Sequence, residues 1–241
     1  MIYFISSILS IVISALIVQY NIFRHVPDPD DLTVSITNTS GGLSILIGFI
    51  SYYSLTSITR LNFENFDLIV VLSVITIIGF IDDLFRIKNI YRFVAQNILC
   101  IYLLLQFNID IQIMILALLL SIYLINSYNF MDGIDQLAIS QAIFFSIACL
   151  IILSGSFLLT LIFISFFLLN SIKTKIFLGS SGSYLLGLII AIDMISLSKG
   201  VFGDIEIFFV MMILMTTFYV DATYTIIVRF LKKISSDTTL L

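Results

Sequence analysis

Long apolar segments separated by short polar breaks occupy almost the whole chain. A helix needs about 20 mostly apolar residues to cross a hydrocarbon core of about 30 Å, and the segment 2–20 alone meets that requirement. Both faces of these segments are apolar, which argues against the alternating pattern of a membrane β-barrel. We therefore predict an all-α integral membrane protein, a polytopic bundle that forms a single transmembrane domain over 1–241. The pattern predicts about nine transmembrane helices, near 2–20, 41–59, 67–85, 90–107, 110–126, 137–154, 156–171, 182–198 and 204–228.

Composition agrees with this class. Hydrophobic residues make up 60% of the chain and charged residues 11%, and the mean hydropathy of +1.17 lies far outside the range of soluble domains. A net charge of -4 provides no basic patch, so nucleic acid is excluded as a partner. The first span could be a cleaved signal peptide, but no Lys or Arg precedes its apolar run, and we expect a retained anchor.

The positions of Lys and Arg predict the orientation, because short cytoplasmic loops are enriched in both. With the N-terminus outside and the C-terminus cytoplasmic, all Lys and Arg except Arg60 and Lys199 fall on the cytoplasmic side. We therefore predict a reaction or binding site that faces the cytoplasm. The polar breaks gathered on that side are 21–40, 81–92, 126–136, 172–182 and 221–241.

The break "GFIDDLFRIKN" places Asp82 and Asp83 at the end of the third predicted span. Adjacent carboxylates at a bilayer edge repel one another and need a cation. Arg86 is one candidate, because a continuing helix puts it four residues after Asp82 and three after Asp83. A magnesium ion shared with a phosphate substrate is the other. Arg92 and Gln96, on the next predicted helix, are candidates for the same pocket.

The break "NSYNFMDGIDQLA" carries a polar residue at every third position: Asn126, Asn129, Asp132 and Asp135. On a helix this spacing makes a slowly drifting polar stripe. One or two such residues could simply cap helices. Four are more than capping requires, and carboxamides with carboxylates can bind a nucleobase edge, a ribose diol or a sugar. We favour a binding function for this segment.

The break "KTKIFLGSSGSYLLG" combines Lys173 and Lys175 with glycines and serines at the start of a span. Backbone N–H groups at a helix N-terminus can bind phosphate. Small residues also allow close packing of membrane helices, and both interpretations stay open. Phe177 is either a core residue or an aromatic that stacks on a base.

Together, "GFIDDLFRI", "NSYNFMDGIDQLA" and "NSIKTKIFLGSSGSYLLG" resemble, in order and rough spacing, the polyprenyl-phosphate N-acetylhexosamine-1-phosphate transferases of glycosyltransferase family 4. These bacterial enzymes begin cell-envelope polymers, including peptidoglycan, teichoic acid and the O-antigen of lipopolysaccharide. The resemblance implies transfer of a sugar-1-phosphate from a UDP-N-acetylhexosamine to polyprenyl (undecaprenyl) phosphate, which releases UMP and uses Mg²⁺. It also implies a multi-pass protein of the bacterial inner membrane with a cytoplasmic active site.

The resemblance implies roles for individual residues. Asp82 and Asp83 are the expected catalytic acids, which organise the lipid phosphate and the metal, and Asp83 is the expected magnesium ligand. The expected phosphate-binding residues are Arg92 and Lys175. The expected partners are polyprenyl phosphate, a UDP-sugar and the membrane, and a homodimer remains open. The expected nucleotide-sugar-binding residues are Asn126, Asn129, Asp132, Asp135 and Phe177.

The chain also departs from the family pattern. Ser180 stands where the family has an aspartate that binds magnesium, and Gln136 stands where glycine is usual. No histidine-rich loop follows before Leu241, and His25 is the only histidine. We expect a divergent, C-terminally short member. Two alternatives stay open: a catalytically impaired relative that binds polyprenyl phosphate or a nucleotide sugar without turnover, and an ion-coupled transporter, which the clustering of acids at one surface disfavours.

Overall fold

Helices make up most of what the computed structural model describes. The described residues are 2–20, 24–25, 37–38, 41–57, 63–106, 111–131, 136–153, 160, 162–164, 166–168, 178–199 and 205–238. Two short strands, β1 (Arg24–His25) and β2 (Thr37–Asn38), pair in antiparallel fashion. The helices are α1 (Ile2–Gln19), α2 (Gly41–Ser57), α3 (Phe63–Phe85), α4 (Asn89–Leu105), α5 (Ile111–Met131), α6 (Leu137–Leu153), α7 (Gly179–Lys199), α8 (Ile205–Leu214) and α9 (Thr216–Thr238).

Among the residues that the structure describes, three helices are long and apolar enough to cross a bilayer: α3, α5 and α7. Shorter apolar helical segments accompany them at Ile5–Leu16, Gly41–Ser51, Asn89–Leu105 and Leu137–Ile152. By length and composition, the structure confirms a helical membrane protein. The number of nine spans and their orientation remain predictions, and the predicted span 156–171 lies largely outside the described residues.

Helix α7 occupies the centre of the packed helices. Its apolar span is 72% buried, against 33% for the span of α3 and 39% for that of α5. Every residue from 181 to 191 is buried, and α2, α3 and α5 all pack against this helix. A membrane helix buried on all sides is in contact with protein rather than lipid, so α7 is the element against which the others are positioned.

Helices α5 and α7 run in opposite directions. The Ser183 hydroxyl, near the start of α7, donates to Asn129 Oδ1 near the end of α5 at 3.1 Å. One turn further on, Gly187 lies against the α5 backbone, where an added Cβ would approach Ile125 Cα to 2.5 Å. Glycine is therefore required for this close contact. The pairing places the end of α5 beside the beginning of α7.

The starts of α2 and α7 lie at that same end. Gly42 N–H donates to Leu178 O at 3.3 Å, and a Cβ on Gly42 would collide with the Gly182 backbone. Helix α3 ends there as well, because a Cβ on Gly79 would lie 2.5 Å from Ser180 O. We call this end, which holds the starts of α2, α4 and α7 and the ends of α3 and α5, the polar end.

Two predicted boundaries are wrong. Helix α5 continues past 126 to Met131, so Asn126 and Asn129 lie within a helix, where neighbouring helices supply hydrogen-bond partners for their amides. The predicted span 204–228 is divided at Met215 into α8 and α9. At the division, the Gln141 amide of α6 donates to Leu214 O at 3.5 Å.

Candidate active site

Asp82 is a buried carboxylate at the polar end, with 5% of its side chain exposed. Its Oδ2 accepts from Arg92 of α4 at 2.5 Å and from the Tyr184 hydroxyl of α7 at 2.8 Å. Its Oδ1 accepts from Ile87 N–H at 3.0 Å. A buried charge is tolerated where it is paired and hydrogen-bonded, and these three donors meet that condition.

The turn between α3 and α4 brings Arg92 of α4 to Asp82 at the end of α3. Helix α3 ends at Phe85, and Arg86 takes a left-handed conformation with φ 49° while its N–H donates to Asp82 O at 2.8 Å. A left-handed residue is a common way to end a helix. The expected continuation of the helix to Arg86 is therefore wrong, and Asp82 forms an ion pair with Arg92 of the next helix.

Asp83 faces the N-terminus of α7. Its Oδ1 accepts from Ser180 N–H at 2.9 Å and its Oδ2 from Ser181 N–H at 3.3 Å. The first N–H groups of a helix have no partner within the helix, and the helix dipole favours an anion at that position. Asp82 and Asp83 are adjacent in sequence, yet the Arg92 guanidinium neutralises the first, whereas the second lies at the N-terminus of a helix.

Arg92 connects three helices. Its Nη1 donates to Asp82 on α3 and to the Tyr184 hydroxyl on α7 at 3.2 Å, and its Nη2 donates to Asn89 in the first turn of α4. Tyr184 was not predicted from the sequence. The one feature that could have indicated it was a tyrosine in the first turns of a predicted span. We call Asp82, Asp83, Arg92 and Tyr184, with the first turn of α7, the charged corner.

The two predicted carboxamides on α5 contact different helices. Asn126 Nδ2 donates to Gln96 Oε1 of α4 at 3.1 Å and to Ile122 O at 2.8 Å. Asn129 Oδ1 accepts from Ser183 of α7. We call Gln96 and Asn126 the amide pair. Both asparagines therefore lie inside the bundle near its polar end.

Five of the nine predicted site residues are described, and the structure gathers them at the polar end: Asp82, Asp83, Arg92, Asn126 and Asn129. The other four lie outside the described residues: Asp132, Asp135, Lys175 and Phe177. The roles assigned to all nine remain predictions.

The described residues contain no group of three or more His, Cys, Asp or Glu side chains that could hold a metal ion. Asp83 nevertheless keeps acceptor capacity, because an ionised carboxylate has about four lone-pair sites, and the described donors to it are the N–H groups of Ser180 and Ser181 and the Ser180 hydroxyl. Mg²⁺ is commonly held by one or two carboxylates together with substrate phosphates and water. This part of the chain therefore fits magnesium when a phosphate substrate supplies further ligands.

Two comparisons with known proteins were made, and one of them found a match that includes this site. No curated protein matches the chain. A family model described as glycosyl transferase family 4 matches residues 65–198, more than half of the chain. The match includes all of α4, α5 and α6 and the paired acids of α3. The charged corner and the amide pair both lie inside the matched segment. Because the match covers more than half of the chain, the chain belongs to glycosyl transferase family 4, a family of polyprenyl-phosphate sugar-phosphate transferases.

Proposed function

We propose that the protein transfers a sugar-1-phosphate from a UDP-N-acetylhexosamine to polyprenyl phosphate. An oxygen of the lipid phosphate attacks the phosphorus that carries the sugar. The bond from that phosphorus to the UMP oxygen breaks, UMP leaves, and a lipid-linked pyrophosphoryl sugar is formed. The observation that carries this proposal is the meeting of two acids and an arginine from α3 and α4 with the N-terminus of α7 inside the family-matched segment.

Phosphoryl transfer depends mostly on positioning and on neutralising charge, and the charged corner is suited to both. Arg92 is held by Asp82 and Tyr184 and still exposes 23% of its side chain, so it can approach a phosphate without losing its anchors. The buried Asp82 fixes that guanidinium in place. Asp83 and the N-terminus of α7 form the second charged position.

Mg²⁺ is part of the proposal, with Asp83 as the protein ligand. When bound, the ion would supply positive charge to the phosphates of both substrates. The residues outside the described ranges keep the roles that the family resemblance implies. Asp132, Asp135 and Phe177 would complete the nucleotide pocket with Asn126 and Asn129, and Lys175 would contact phosphate.

We further propose that the chain is a single transmembrane unit over 1–241 in a bacterial inner membrane, with the polar end facing the cytoplasm. That orientation brings a water-soluble donor to a lipid acceptor at the inner leaflet. The product would serve the synthesis of a cell-envelope polysaccharide. The distribution of Lys and Arg in the sequence supports this orientation.

A second candidate function is binding of polyprenyl phosphate or the nucleotide sugar without turnover. One observation favours it: both oxygens of Asp83 are held by backbone N–H groups of Ser180 and Ser181. Ser180 is also the position where the family pattern has a magnesium-binding aspartate. With a serine there, this chain offers the metal one carboxylate fewer.

The test is a membrane assay with radiolabelled UDP-N-acetylglucosamine and polyprenyl phosphate, with and without Mg²⁺. We expect magnesium-dependent labelled lipid from the wild type and a loss of at least about 100-fold in Asp82→Asn and in Asp83→Asn, because the first releases the Arg92 guanidinium from its ionic anchor and the second removes the proposed magnesium ligand. Asp67→Asn is the matched control, because Asp67 lies near the opposite end of the same helix, where it accepts from Tyr102. Wild-type membranes that bind both substrates but form no labelled lipid support the second candidate.

Restoring the family aspartate separates the two candidates further. Ser180→Asp places a carboxylate beside Asp83, so we expect a lower unfolding temperature in a chelator and a recovery on adding Mg²⁺ that the wild type lacks. Ser180→Asn, which is neutral and of the same size as Asp, is the control. Labelling that rises with Ser180→Asp shows that the missing ligand limits turnover. An Mg²⁺ response equal in both variants contradicts this placement of the metal.

A further inference from the structure

Gln96 carries a buried amide that is only half satisfied. Its side chain is 1% exposed. Its Oε1 accepts from Asn126 Nδ2, whereas its Nε2 has no hydrogen-bond partner among the residues that the structure describes. Buried donors in folded proteins are nearly always paired, so an unpaired one calls for a ligand or a water molecule.

The orientation of this amide is determined by its neighbours. Asn126 Nδ2 donates to Ile122 O as well as to Gln96 Oε1. A backbone carbonyl only accepts, so the nitrogen of Asn126 must face it, and Gln96 must present its oxygen to the same nitrogen. Reversing the Gln96 amide would place its Nε2 donor against the Nδ2 donor of Asn126, with no acceptor between them. The NH₂ group of Gln96 is therefore the end that points away from the amide pair.

The position of Gln96 indicates which substrate reaches it. Gln96 follows Arg92 by four residues, so the two share a face of α4, and Gln96 lies about 6 Å further from the polar end. Asn126 is likewise inside α5, five residues before its end at Met131. The free donor is thus on the hydrocarbon side of the charged corner. A lipid acceptor extends over both levels, because its phosphate lies at the polar end and its chain lies in the hydrocarbon, whereas a soluble nucleotide reaches only the polar end.

We propose that Gln96 is a substrate-contact residue whose Nε2 donates to a phosphate oxygen of the lipid acceptor. The inference rests on the proposed function for the identity of that acceptor. Arg92 neutralises Asp82 one turn away, so the pair adds no net charge that would repel a phosphate. An anionic phosphate oxygen is also the stronger acceptor for such a donor. Asn126 holds the Gln96 amide in the orientation that this contact needs.

The experiment uses Gln96→Met in the full chain, purified in detergent micelles. Its unfolding temperature is measured alone and with a short-chain polyprenyl phosphate, UDP or inorganic phosphate. Methionine keeps the length of the side chain and removes the unpaired donor together with the Oε1 acceptor, while Asn126 Nδ2 keeps its hydrogen bond to Ile122 O. We expect an unfolding temperature without ligand that is unchanged or higher, and a polyprenyl phosphate affinity weaker by about tenfold, with UDP affinity unchanged.

Gln141→Met is the matched control, because the Gln141 amide on α6 has a partner for its nitrogen, which donates to Leu214 O. We expect it to lower the unfolding temperature without ligand and to leave the affinity for polyprenyl phosphate unchanged. Gln96→Glu is the second variant. It keeps an acceptor for Asn126 and puts an anionic group in place of the donor, so it should weaken lipid phosphate binding more than Gln96→Met does.

Three outcomes would overturn the inference. In the first, Gln96→Met behaves like Gln141→Met, as expected if the amide is structural or pairs with a buried water. In the second, the affinity for UDP falls instead of that for the lipid. In the third, the wild type does not bind polyprenyl phosphate. Binding is measured here without turnover, so a wild type that binds the lipid phosphate through Gln96 but forms no labelled product contradicts the proposed reaction and supports this inference.

Discussion

The charged corner and the amide pair lie one helical turn apart on α4, yet their hydrogen bonding differs. In the charged corner, Asp82 accepts from three donors and Asp83 from two backbone N–H groups. In the amide pair, the Gln96 amide nitrogen stays unpaired among the described residues. The more strongly charged region is thus the better satisfied one.

The difference indicates that one region mainly stabilises the fold and that the other can bind a ligand. A buried charge without a partner destabilises a fold strongly, so the partners of Asp82 must be present before any substrate binds. An unpaired amide destabilises it less and can stay open for a ligand. The charged corner therefore holds the helices in place and presents Arg92, and the amide pair retains the capacity for a new hydrogen bond.

The largest loss of stability is expected from Arg92→Met, because this substitution leaves the buried Asp82 carboxylate without the Arg92 cation. Removing one partner of a buried ion pair lowers the free energy of unfolding by about 3–5 kcal/mol. Equilibrium unfolding in mixed micelles measures this loss. Arg92→Lys keeps the charge and should lose less. A stability of Arg92→Met equal to that of the wild type would show that Asp82 does not depend on this cation.

A smaller effect is expected from Tyr184→Phe, which removes the hydroxyl that donates to Asp82 at 2.8 Å and accepts from Arg92. A hydrogen bond to a charged group contributes about 1.5–3 kcal/mol to the free energy of unfolding. Tyr123→Phe is the matched control, because the partners of the Tyr123 hydroxyl among the described residues are neutral: the Thr223 hydroxyl and the Tyr219 carbonyl. Equal losses in the same unfolding measurement would remove the distinction between charged and neutral partners.

The smallest effect is expected from Ser183→Ala, which removes the neutral hydrogen bond to Asn129 that joins α7 to α5. The expected loss in the free energy of unfolding is about 1 kcal/mol. Ser140→Ala is the control, because the exposed Ser140 hydroxyl bonds only Leu137 O within its own helix. A loss as large as that of Arg92→Met would mean that neutral contacts, rather than the charged corner, hold the polar end together.

Much of the fold was predictable from local pattern. The apolar segments predicted helices close to α2, α3, α4, α6 and α7, because the length of an apolar run is a property of neighbouring residues. The end of α5 and the division at Met215 were not predictable. Asn126 and Asn129 would interrupt an isolated span, and they remain helical because Gln96 and Ser183 on other helices bond their amides.

For the candidate site, the sequence by itself determined which residues carry charge and amides and that these follow the ends of apolar runs. The tertiary structure decided the partners. Nothing local indicates that Asp82 forms an ion pair with Arg92, which lies ten residues further along the chain on the next helix. Asp83 accepts from N–H groups 97 and 98 residues further along the chain. Such pairings follow from helix packing, which brings distant residues within hydrogen-bond distance and which a local pattern does not record.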